Sequence, residues 1–404
     1  MHHANALRRS LVFSGALAAA GTAVGTVLGS VAGCASLPSP ATERRIRLLG
    51  EARLPHRMNF AGTVVGGISG IDYDSAAGLW YLLSDDRSDL NPARFYTAKI
   101  PISAAGMSTP ELQSVVTLRQ PNGTPYPSRR SASATDPQVP DPESIRWRPA
   151  TGTLLWSSEG DAKLGLPPFV REMRPDGSHL RELTLPAMFA MQGPDSGPRD
   201  NLAFEGLALT PDGRQLWVAM EAALQQDGAV PSVASGGGPC RFTCFDVASG
   251  IALRQIAYLP DAIPRPSQPA SAYADNGVSE ILMLDAQRML VLERAYMAGY
   301  PAGQGNSLRI YLIDTNAASD TLHTPVLRPG NHGPVAKTLL LNLDQFTHFA
   351  GTPPPGTPTL ERLDNTECMA WGPPLPSGER TLLLASDDNF NPQQITQFIA
   401  LALG

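Results

Sequence analysis

The sequence predicts an all-β protein, a β-propeller of five four-stranded blades. Five segments share one pattern, in which a small or acidic residue precedes a short apolar strand, a turn follows, and a second apolar strand ends in an acidic residue. Two further strand-like runs follow most of these segments, and no long amphipathic helix is apparent after residue 40. A repeated four-stranded unit is typical of a propeller. The main alternative, a two-sheet β-sandwich, does not explain the repeated acidic residues at strand ends.

Each blade begins with one of the repeated segments. They lie at 69–85, 143–159, 205–221, 280–293 and 367–387. Short apolar runs rich in Val, Ile, Trp and Tyr, broken by turns such as Pro211-Asp212-Gly213, indicate strands and hairpins. The clearest outer strand pairs are predicted at 95–100 with 112–118, at 242–247 with 251–259, and at 308–313 with 337–343.

The last unit contains only three strand-like runs, at 367–371, 380–386 and 395–401. The apolar stretch at 45–54 is predicted to supply its fourth strand. Pairing of the two chain ends then closes the ring and removes an exposed sheet edge. A sixth blade remains an alternative if one long connection contains a degenerate unit.

Composition excludes several classes of protein. The chain has 404 residues, 17% of them charged, and a formal net charge of −6. This length and hydrophobic content exclude a small disulfide scaffold and a disordered chain, and the negative charge argues against a nucleic-acid-binding protein. Cys240 and Cys244 are four strand steps apart, roughly 13 Å, which is too far for a disulfide. We therefore expect these two cysteines and Cys368 to be buried thiols.

The N-terminus has the pattern of an export signal. Arg8 and Arg9 precede an apolar stretch of small residues that ends in Val-Ala-Gly-Cys at 31–34. This ending resembles the lipobox of bacterial lipoproteins, which implies cleavage before Cys34 and acylation of its thiol. We therefore predict a lipoprotein signal peptide at 1–33, a tether at 34–43 and the propeller domain at 44–404. The predicted location is the cell envelope, at the outer membrane facing the periplasm. A single membrane-spanning helix and a twin-arginine export route remain alternatives.

Several motifs resemble those of one family. They are LSDDR at 83–87, DPESI at 141–145, NLAFEG at 201–206, LER at 292–294, DNTE at 364–367 and SDDNF at 386–390. Together they resemble the bacterial phytase-like family, exported propeller proteins described as having esterase-like activity of phytase. The resemblance spans about residues 60–402 and implies an exported propeller that hydrolyses esters. The Asp-Ala-x-Asp-Asp-Pro-Ala-x-Trp signature of calcium-dependent alkaline phytases has only a faint counterpart at 141–147, so the resemblance does not extend to phytate hydrolysis.

The repeated acidic residues are predicted to form a ring of carboxylates, because the start of one strand and the end of its antiparallel neighbour lie at the same face. The first tier comprises Glu143, Glu205, Glu280 and Glu367. The second tier comprises Asp85, Glu159, Glu221, Glu293 and Asp387. In the first unit Ser69 and Gly70 stand where the others carry Glu, and we predict that this gap admits the ligand.

So many converging carboxylates repel one another unless cations neutralise them, and Ca²⁺ takes six to eight oxygen ligands. The predicted metal ligands are Asp85, Glu143, Glu159, Glu280, Glu293, Glu367 and Asp387, with Asn201, Asn365 and Asn389 as further oxygen donors. The alternative for any single acid is structural, with the carboxylate binding backbone N–H groups and joining adjacent blades. The arginines beside the acids, Arg87, Arg171 and Arg294, would bind a phosphate or carboxylate or pair with those acids.

The predicted catalytic residues are Arg87, Glu205, Glu221 and Arg294. No GxSxG, HExxH or P-loop motif occurs, and no histidine lies in a repeated motif, so metal-assisted hydrolysis is the favoured chemistry. The predicted protein is a monomeric, membrane-anchored, Ca²⁺-dependent hydrolase of small phosphoric or other esters, with a lactonase as a related enzyme. The alternative is a non-catalytic propeller with structural calcium that binds a glycan, a peptide or an envelope partner.

Overall fold

The structure, a computed structural model, describes residues 46–404 except 134, 136, 137, 192, 194 and 351–357. The predicted signal peptide, Cys34 and the tether lie outside the described residues. Within the described part of the chain there is no α-helix, and the only helical turns are 3₁₀ segments. These are Ala162–Leu164, Ala187–Phe189, Thr315–Ala317, Leu343–Phe346 and His348–Ala350. None of the described helices has the length and apolar character needed to span a bilayer.

The strands form five four-stranded antiparallel sheets and two small hairpins. The chain begins with β1 (Ile46–Leu54) and the hairpin β2 (Asn59–Phe60) and β3 (Thr63–Val64). Blade 1 contains β4 (Ile68–Asp74), β5 (Leu79–Ser84) and β6 (Arg94–Lys99), then the hairpin β7 (Ile102–Ser103) and β8 (Gly106–Met107), and finally β9 (Glu111–Thr117). Blade 2 contains β10 (Pro142–Arg148), β11 (Thr153–Ser158), β12 (Phe169–Met173) and β13 (His179–Glu182).

The remaining blades follow the same order. Blade 3 contains β14 (Phe204–Leu209), β15 (Gln215–Met220), β16 (Cys240–Asp246) and β17 (Ile251–Tyr258). Blade 4 contains β18 (Ala274–Met283), β19 (Arg288–Met297), β20 (Asn306–Asp314) and β21 (Lys337–Asn342). Blade 5 contains β22 (Thr366–Trp371), β23 (Arg380–Ser386) and β24 (Thr396–Leu403), and its fourth strand is β1.

The first strand of each blade lies innermost, and the five inner strands β4, β10, β14, β18 and β22 contact one another in a closed circle. The five-bladed propeller predicted from the repeats is therefore confirmed. The predicted closure is confirmed as well, because β1 pairs antiparallel with β24 from Ile46↔Leu403 to Leu54↔Thr396.

The core lies between neighbouring blades, where apolar strand faces meet. The ring of Tyr81 in blade 1 stacks on that of Trp147 in blade 2, with 5.3 Å between centroids. Trp371 in blade 5 donates its indole N–H to the carbonyl oxygen of Met283 in blade 4, at 2.8 Å. The predicted thiols Cys240, Cys244 and Cys368 are buried and free. Packing of this kind fixes each blade against the next and so fixes the inner strands around the axis.

Arg146, on the inner strand of blade 2, fills the axis of the ring. Its guanidinium group donates hydrogen bonds of 2.6–3.4 Å to one main-chain carbonyl oxygen from each of the five inner strands. The acceptors are Ile71, Ile145, Leu207, Ile281 and Met369. These five residues form one layer, which we call the axial layer, and they define equivalent positions in the five blades.

Candidate functional site

A β-bulge interrupts every inner strand just before the axial layer. The bulges lie between Ile68 and Gly70, Pro142 and Ile145, Phe204 and Leu207, Val278 and Glu280, and Thr366 and Cys368. A bulge adds an unpaired residue and redirects the side chains beside it. The residues two positions before the axial layer are Ser69, Glu143, Glu205, Ser279 and Glu367. Three of the four predicted first-tier acids therefore occupy equivalent positions.

The second tier follows from the pairing of the axial layer with the adjacent strand. The five partners are Leu82, Trp156, Val218, Val291 and Leu384. Three residues further along the chain stand Asp85, Glu159, Glu221, Arg294 and Asp387. Four of the five predicted second-tier acids therefore occupy equivalent positions, and in blade 4 the equivalent residue is an arginine.

The prediction for blade 4 was wrong by one residue in both tiers. The position equivalent to Glu205 is Ser279 instead of Glu280, and the position equivalent to Glu221 is Arg294 instead of Glu293. The reason is that β18 begins at Ala274, well before the predicted start, and its bulge falls at Ser279. A shift of one residue moves a side chain to the opposite face of a strand.

Glu280 is a counter-ion in the interior and does not join the tier. Its carboxylate lies 2.7 Å from the guanidinium group of Arg146 and accepts hydrogen bonds from the Ser144 hydroxyl at 3.1 Å and the Leu207 amide at 3.0 Å. Burial raises the pKa of Glu280 to about 7, although Arg146 acts in the opposite direction. Glu280 does not line the central cavity, and its carboxylate already has Arg146 as counter-ion.

Glu293 points away from the channel, on the opposite face of β19. Its carboxylate accepts hydrogen bonds from the Tyr258 hydroxyl at 2.6 Å, the Asn276 amide at 2.8 Å and the Asp261 main-chain amide at 3.0 Å, and it pairs with Lys337 at 2.5 Å. Its acceptor capacity is used by groups of blade 4, of blade 3 and of the segment that joins them, and Glu293 does not line the central cavity. Arg171 is likewise distant from the channel, because it pairs with Glu182 and donates to the Tyr126 hydroxyl.

Most of the other predicted residues converge on one cavity of about 230 Å³ at the centre of the ring, whereas Glu159 and Asn365 do not line it. The predicted residues that line it are Asp85, Arg87, Glu143, Glu205, Glu221, Arg294, Glu367, Asp387, Asn201 and Asn389. The sequence analysis missed Leu202, Asp141, Tyr273 and Asp275 as lining residues. Asp141 stood in the DPESI motif two residues before Glu143, so that motif was the available signal, whereas nothing local marked Tyr273 or Asp275. No His, Ser or Cys of the described chain lines this cavity.

Eight carboxyl groups and two guanidinium groups line the cavity, so its charge is strongly negative when the carboxyl groups are ionised. Burial, and then the charge of Glu205, raises the pKa of Glu143 well above its usual range. Burial also raises the pKa of Asp141 to about 7, although Arg87 opposes this, and that of Glu221 to about 8, although Arg294 opposes it. These shifts express the cost of placing many buried like charges together.

Two groups of acids, in which every member except Glu159 lines the cavity, have the spacing of cation ligands. One group is Asp141, Glu143 and Glu159, and the other is Glu159, Glu205 and Glu221. In each group one carboxylate oxygen per residue lies within 4.8 Å of the others. Glu159 belongs to both groups, and its only hydrogen bond from the described main chain comes from the amide of Ala203, at 2.6 Å.

The neighbouring side chains hold several of these acids in place. Arg87 lies 3.2 Å from Asp141 and 2.5 Å from Asp161, so it ties one lining carboxylate to a second, buried one. The amide of Asn365 donates to Glu367 at 2.8 Å and to Asp387 at 3.1 Å. Asn365 thus bridges the two tiers of blade 5.

A basin of about 940 Å³ lies at the mouth of the cavity. The two spaces share Asn201, Tyr273, Asp275, Arg294, Glu367 and Asn389. Ser69 and Gly70 line neither space, and a Cβ atom on Gly70 would lie 2.9 Å from the amide nitrogen of Ile145. The predicted ligand entrance at Ser69 and Gly70 is therefore incorrect, because the neighbouring inner strand fills that space.

Comparison with known proteins gives one family. The family model described as phytase-like, esterase-like activity of phytase, matches residues 63–390. No curated protein matches the chain.

Similar solved structures have low sequence identity. Hydrazine synthase from Kuenenia stuttgartiensis is 13% identical, with a TM-score of 0.36, over 82% of this chain and 81% of that chain. A β-1,3-galactosidase of glycoside hydrolase family 43 is 10% identical, with a TM-score of 0.43, over 87% of this chain and 94% of that one. A gluconolactonase from Xanthomonas campestris is 12% identical, with a TM-score of 0.34, over 90% and 91% of the two chains.

Proposed function

The chain belongs to the phytase-like family, and from this membership and its carboxylate-lined cavity we propose that it is a metal-dependent hydrolase of small phosphoric or carboxylic esters. The observation that carries the proposal is the convergence of two groups of three acids, which share Glu159 and whose other four members line the central cavity. The cation we propose is Ca²⁺, a hard ion that prefers several oxygen ligands.

The residues at the site fit a divalent cation. Glu143 is only 8% exposed, and its carboxylate accepts no hydrogen bond from the described residues. A buried carboxylate without a donor is costly unless a cation or a proton neutralises it. Asp141 and Glu159 stand beside Glu143, and carboxylate oxygens are the ligands that Ca²⁺ prefers. We therefore assign the cation to Asp141, Glu143 and Glu159.

A divalent cation, when bound, polarises a phosphoryl or ester oxygen and lowers the pKa of a coordinated water. Glu205 and Glu221 supply the proton transfers. Burial, and then the charge of Glu221, raises the pKa of Glu205 well above its usual value. Two carboxyl groups this close repel one another when both are ionised, which favours the state in which the pair holds one proton. A carboxyl oxygen of the pair can accept a proton from the attacking water and return it to the leaving oxygen.

The hydrolase proposal is tested by turnover. The full chain is assayed on phytate, aryl phosphates, aryl carboxylates and a panel of lactones, with calcium and with a chelator. We expect chelator-sensitive turnover on at least one of these substrates. Glu205→Gln should abolish it with the fold intact, whereas Glu361→Gln, at a side chain that is 75% exposed on the surface, should leave it unchanged.

Two outcomes would contradict the hydrolase. One is the absence of chelator-sensitive turnover on every substrate. The other is wild-type turnover in Glu205→Gln. A large increase of the melting temperature with calcium, without any turnover, would instead support a binding propeller that contains structural calcium.

We also propose that the protein is exported and anchored through Cys34. The support is the sequence at 31–34 and its apolar, Arg-flanked leader. Several acyl chains on one residue would anchor firmly, because each buried CH₂ contributes about 0.8 kcal/mol. Cys34→Ser should abolish labelling by a radioactive fatty acid and leave an unprocessed or soluble form. Membrane-bound, fully processed Cys34→Ser protein would contradict the anchor.

A further inference from the structure

Arg294 is the one basic residue in a tier whose other four members are Asp85, Glu159, Glu221 and Asp387. It lines both the central cavity and the basin at its mouth. Its side chain is only 13% exposed. Blade 4 therefore places a largely buried positive charge where the other blades place a carboxyl group, at the point where the cavity meets the basin.

The donors of Arg294 are poorly satisfied by the protein. Its terminal nitrogens lie 3.5 Å from Glu221, 3.9 Å from Asp275 and 3.9 Å from Glu367, longer than the usual 2.7–3.2 Å of an N–H···O bond. Its Nε is buried and has no hydrogen-bond partner among the described residues. A guanidinium group carries five N–H donors, and leaving them unused in a buried position is costly.

Arg241 shows how this fold satisfies a structural arginine. It is fully buried and donates to Asp227 at 2.6 and 2.9 Å and to Gln255 at 2.7 Å. Arg294 has carboxylates on several sides, but its one hydrogen bond within the described residues, to Glu221, is long at 3.5 Å. The difference indicates that its guanidinium group is held in place for an acceptor that is not part of the chain.

Two asparagines stand with Arg294 along the same two spaces. Asn201 and Asn389 line both the cavity and the basin, and their backbones are left-handed, with φ of 55° and 46°. Residues other than glycine in this region often mark functional sites. Both asparagines are exposed, and neither side-chain amide donates a hydrogen bond to the described residues. Their N–H groups are therefore free to bind a ligand.

Two aromatic side chains complete the mouth. Tyr273 is 63% exposed and Tyr296 is 37% exposed, and their ring centroids lie 6.3 Å apart. Asp275 fixes them, because it accepts from the Tyr273 hydroxyl at 2.7 Å and from the Tyr296 main-chain amide at 3.0 Å. Exposed aromatic rings held in this way offer apolar contact to the organic part of a ligand.

We propose that Arg294, with the amides of Asn201 and Asn389, forms a binding site for an anionic oxygen group of the substrate, a phosphate or a carboxylate. The proposal deepens the proposed function and depends on it for the assignment of this cavity as the active site. It assigns the substrate class as a small organic molecule with one anionic group. Eight carboxyl groups around two arginines disfavour a ligand with many negative charges.

The test is anion binding, measured by calorimetry on the calcium-loaded full chain in detergent. Inorganic phosphate and acetate are the two probes, and the one that binds more tightly identifies the group. Arg294→Gln should weaken binding of that probe by about tenfold or more, because hydrogen bonds to charged groups are the strong ones. Arg294→Lys should weaken it by a smaller factor, since the charge remains and the planar fork is lost.

Terbium luminescence provides a second measurement, in which the Arg294 variants should not lose affinity for the cation as they lose affinity for the anion. Removing a positive charge beside Glu221 and Glu367 should leave terbium binding unchanged or make it tighter, whereas a misfolded variant would lose both kinds of binding. Arg309→Gln is the matched control. Arg309 is also buried, its Nε also lacks a partner among the described residues, and it lines neither space. Its removal should leave anion binding within twofold.

Three results would overturn the proposal. They are the absence of phosphate and acetate binding in the wild-type protein, wild-type anion binding in Arg294→Gln, and parallel loss of anion and terbium binding in both Arg294 variants. These results are distinct from failure of the hydrolase. A protein without turnover that still binds phosphate through Arg294 would retain the anion site and lose only the catalytic function.

Discussion

Glu159 and Glu293 are both predicted from the sequence at the end of the second strand of a blade, yet their surroundings are opposite. Glu159 faces the channel, within reach of four other acids, and accepts one described main-chain hydrogen bond. Glu293 faces the space between blades 3 and 4 and binds Lys337, Tyr258 and Asn276. At the residue scale, the side of the strand on which a carboxyl group lies decides whether it joins the acids at the channel or is paired with groups in the interior.

This contrast gives a matched prediction. Glu159→Gln should weaken terbium binding by about tenfold or more, because even residues that only support metal ligands commonly change affinity 10–100-fold. Glu293→Gln should leave terbium binding unchanged and lower the free energy of unfolding by about 1–3 kcal/mol, since it leaves the Lys337 ammonium with a weaker partner. Luminescence titration and thermal melting of both variants test this. Equal loss of terbium binding in the two variants would contradict the register described above.

At the scale of the strand, close contact between inner strands depends on small residues beside the bulges. A Cβ atom on Gly206 would lie 2.7 Å from the amide nitrogen of Ile281 and 2.9 Å from a carboxylate oxygen of Glu280. Gly70 has the same surroundings in blade 1, where its Cβ would meet Ile145. At these positions the neighbouring backbone occupies the space of a side chain, so the two inner strands would have to separate.

We therefore expect Gly206→Ala to destabilise the protein by about 1–3 kcal/mol, the usual cost of overpacking. Gly50→Ala is the control, because its Cβ would meet no atom closer than 3.7 Å. That variant should stay within about 0.5 kcal/mol of the wild type. Chemical unfolding of both variants measures the difference. Equal stability of the two would show that the inner strands separate easily, contrary to the packing described here.

The strand pattern explains why the sequence analysis placed four inner strands correctly and one incorrectly. In blades 2 and 3 the distance from the first to the second acid is the same, from Glu143 to Glu159 and from Glu205 to Glu221. In blade 4 the inner strand begins earlier and its bulge falls at Ser279, so Glu280 and Glu293 only appeared equivalent. A bulge leaves no clear mark in a single sequence, because it depends on pairing with the next strand.

At the scale of the whole molecule, Arg146 joins all five blades. It donates to a carbonyl oxygen of every inner strand and pairs with Glu280, and its side chain is 2% exposed. Arg146→Met should lower the free energy of unfolding by about 3–5 kcal/mol, because removal of one partner leaves a buried charge without compensation. Thermal melting with circular dichroism measures this.

The double variant Arg146→Met with Glu280→Leu separates the ion pair from the carbonyl contacts. We expect it to recover part of the loss, since it removes the uncompensated carboxylate but not the five orphaned carbonyl oxygens. A loss below about 1 kcal/mol in Arg146→Met, the size of one ordinary hydrogen bond, would contradict a role for Arg146 at the axis.

The buried acids also give the whole molecule a pH dependence. Burial raises the folded-state pKa of Asp141 to about 7 and that of Glu221 to about 8, above the roughly 4 of the unfolded chain. Between the unfolded and the folded pKa values, the folded state binds more protons than the unfolded chain does. The free energy of unfolding therefore falls as pH rises through this range. With a chelator, the melting temperature should be lower at pH 8.5 than at pH 5.5. Calcium should raise it more at pH 8.5, and an equal effect of calcium at both values would contradict the cation assignment.

The sequence by itself determined the number of blades, the order of the strands, the closure through β1 and β24, and most of the acids that face the channel. These features follow from local patterns, since alternation fixes the face of each strand and repetition fixes equivalent positions. The tertiary structure alone decided the placement of Arg294 in the acidic tier, the entry of Tyr273 and Asp275 into the cavity, and the position of its mouth. The contacts of Arg146 show the reason, because its carbonyl acceptors on the other four blades are 61 to 223 residues away. Convergence over such distances depends on where each strand bulges and how five sheets pack together, which no local pattern contains.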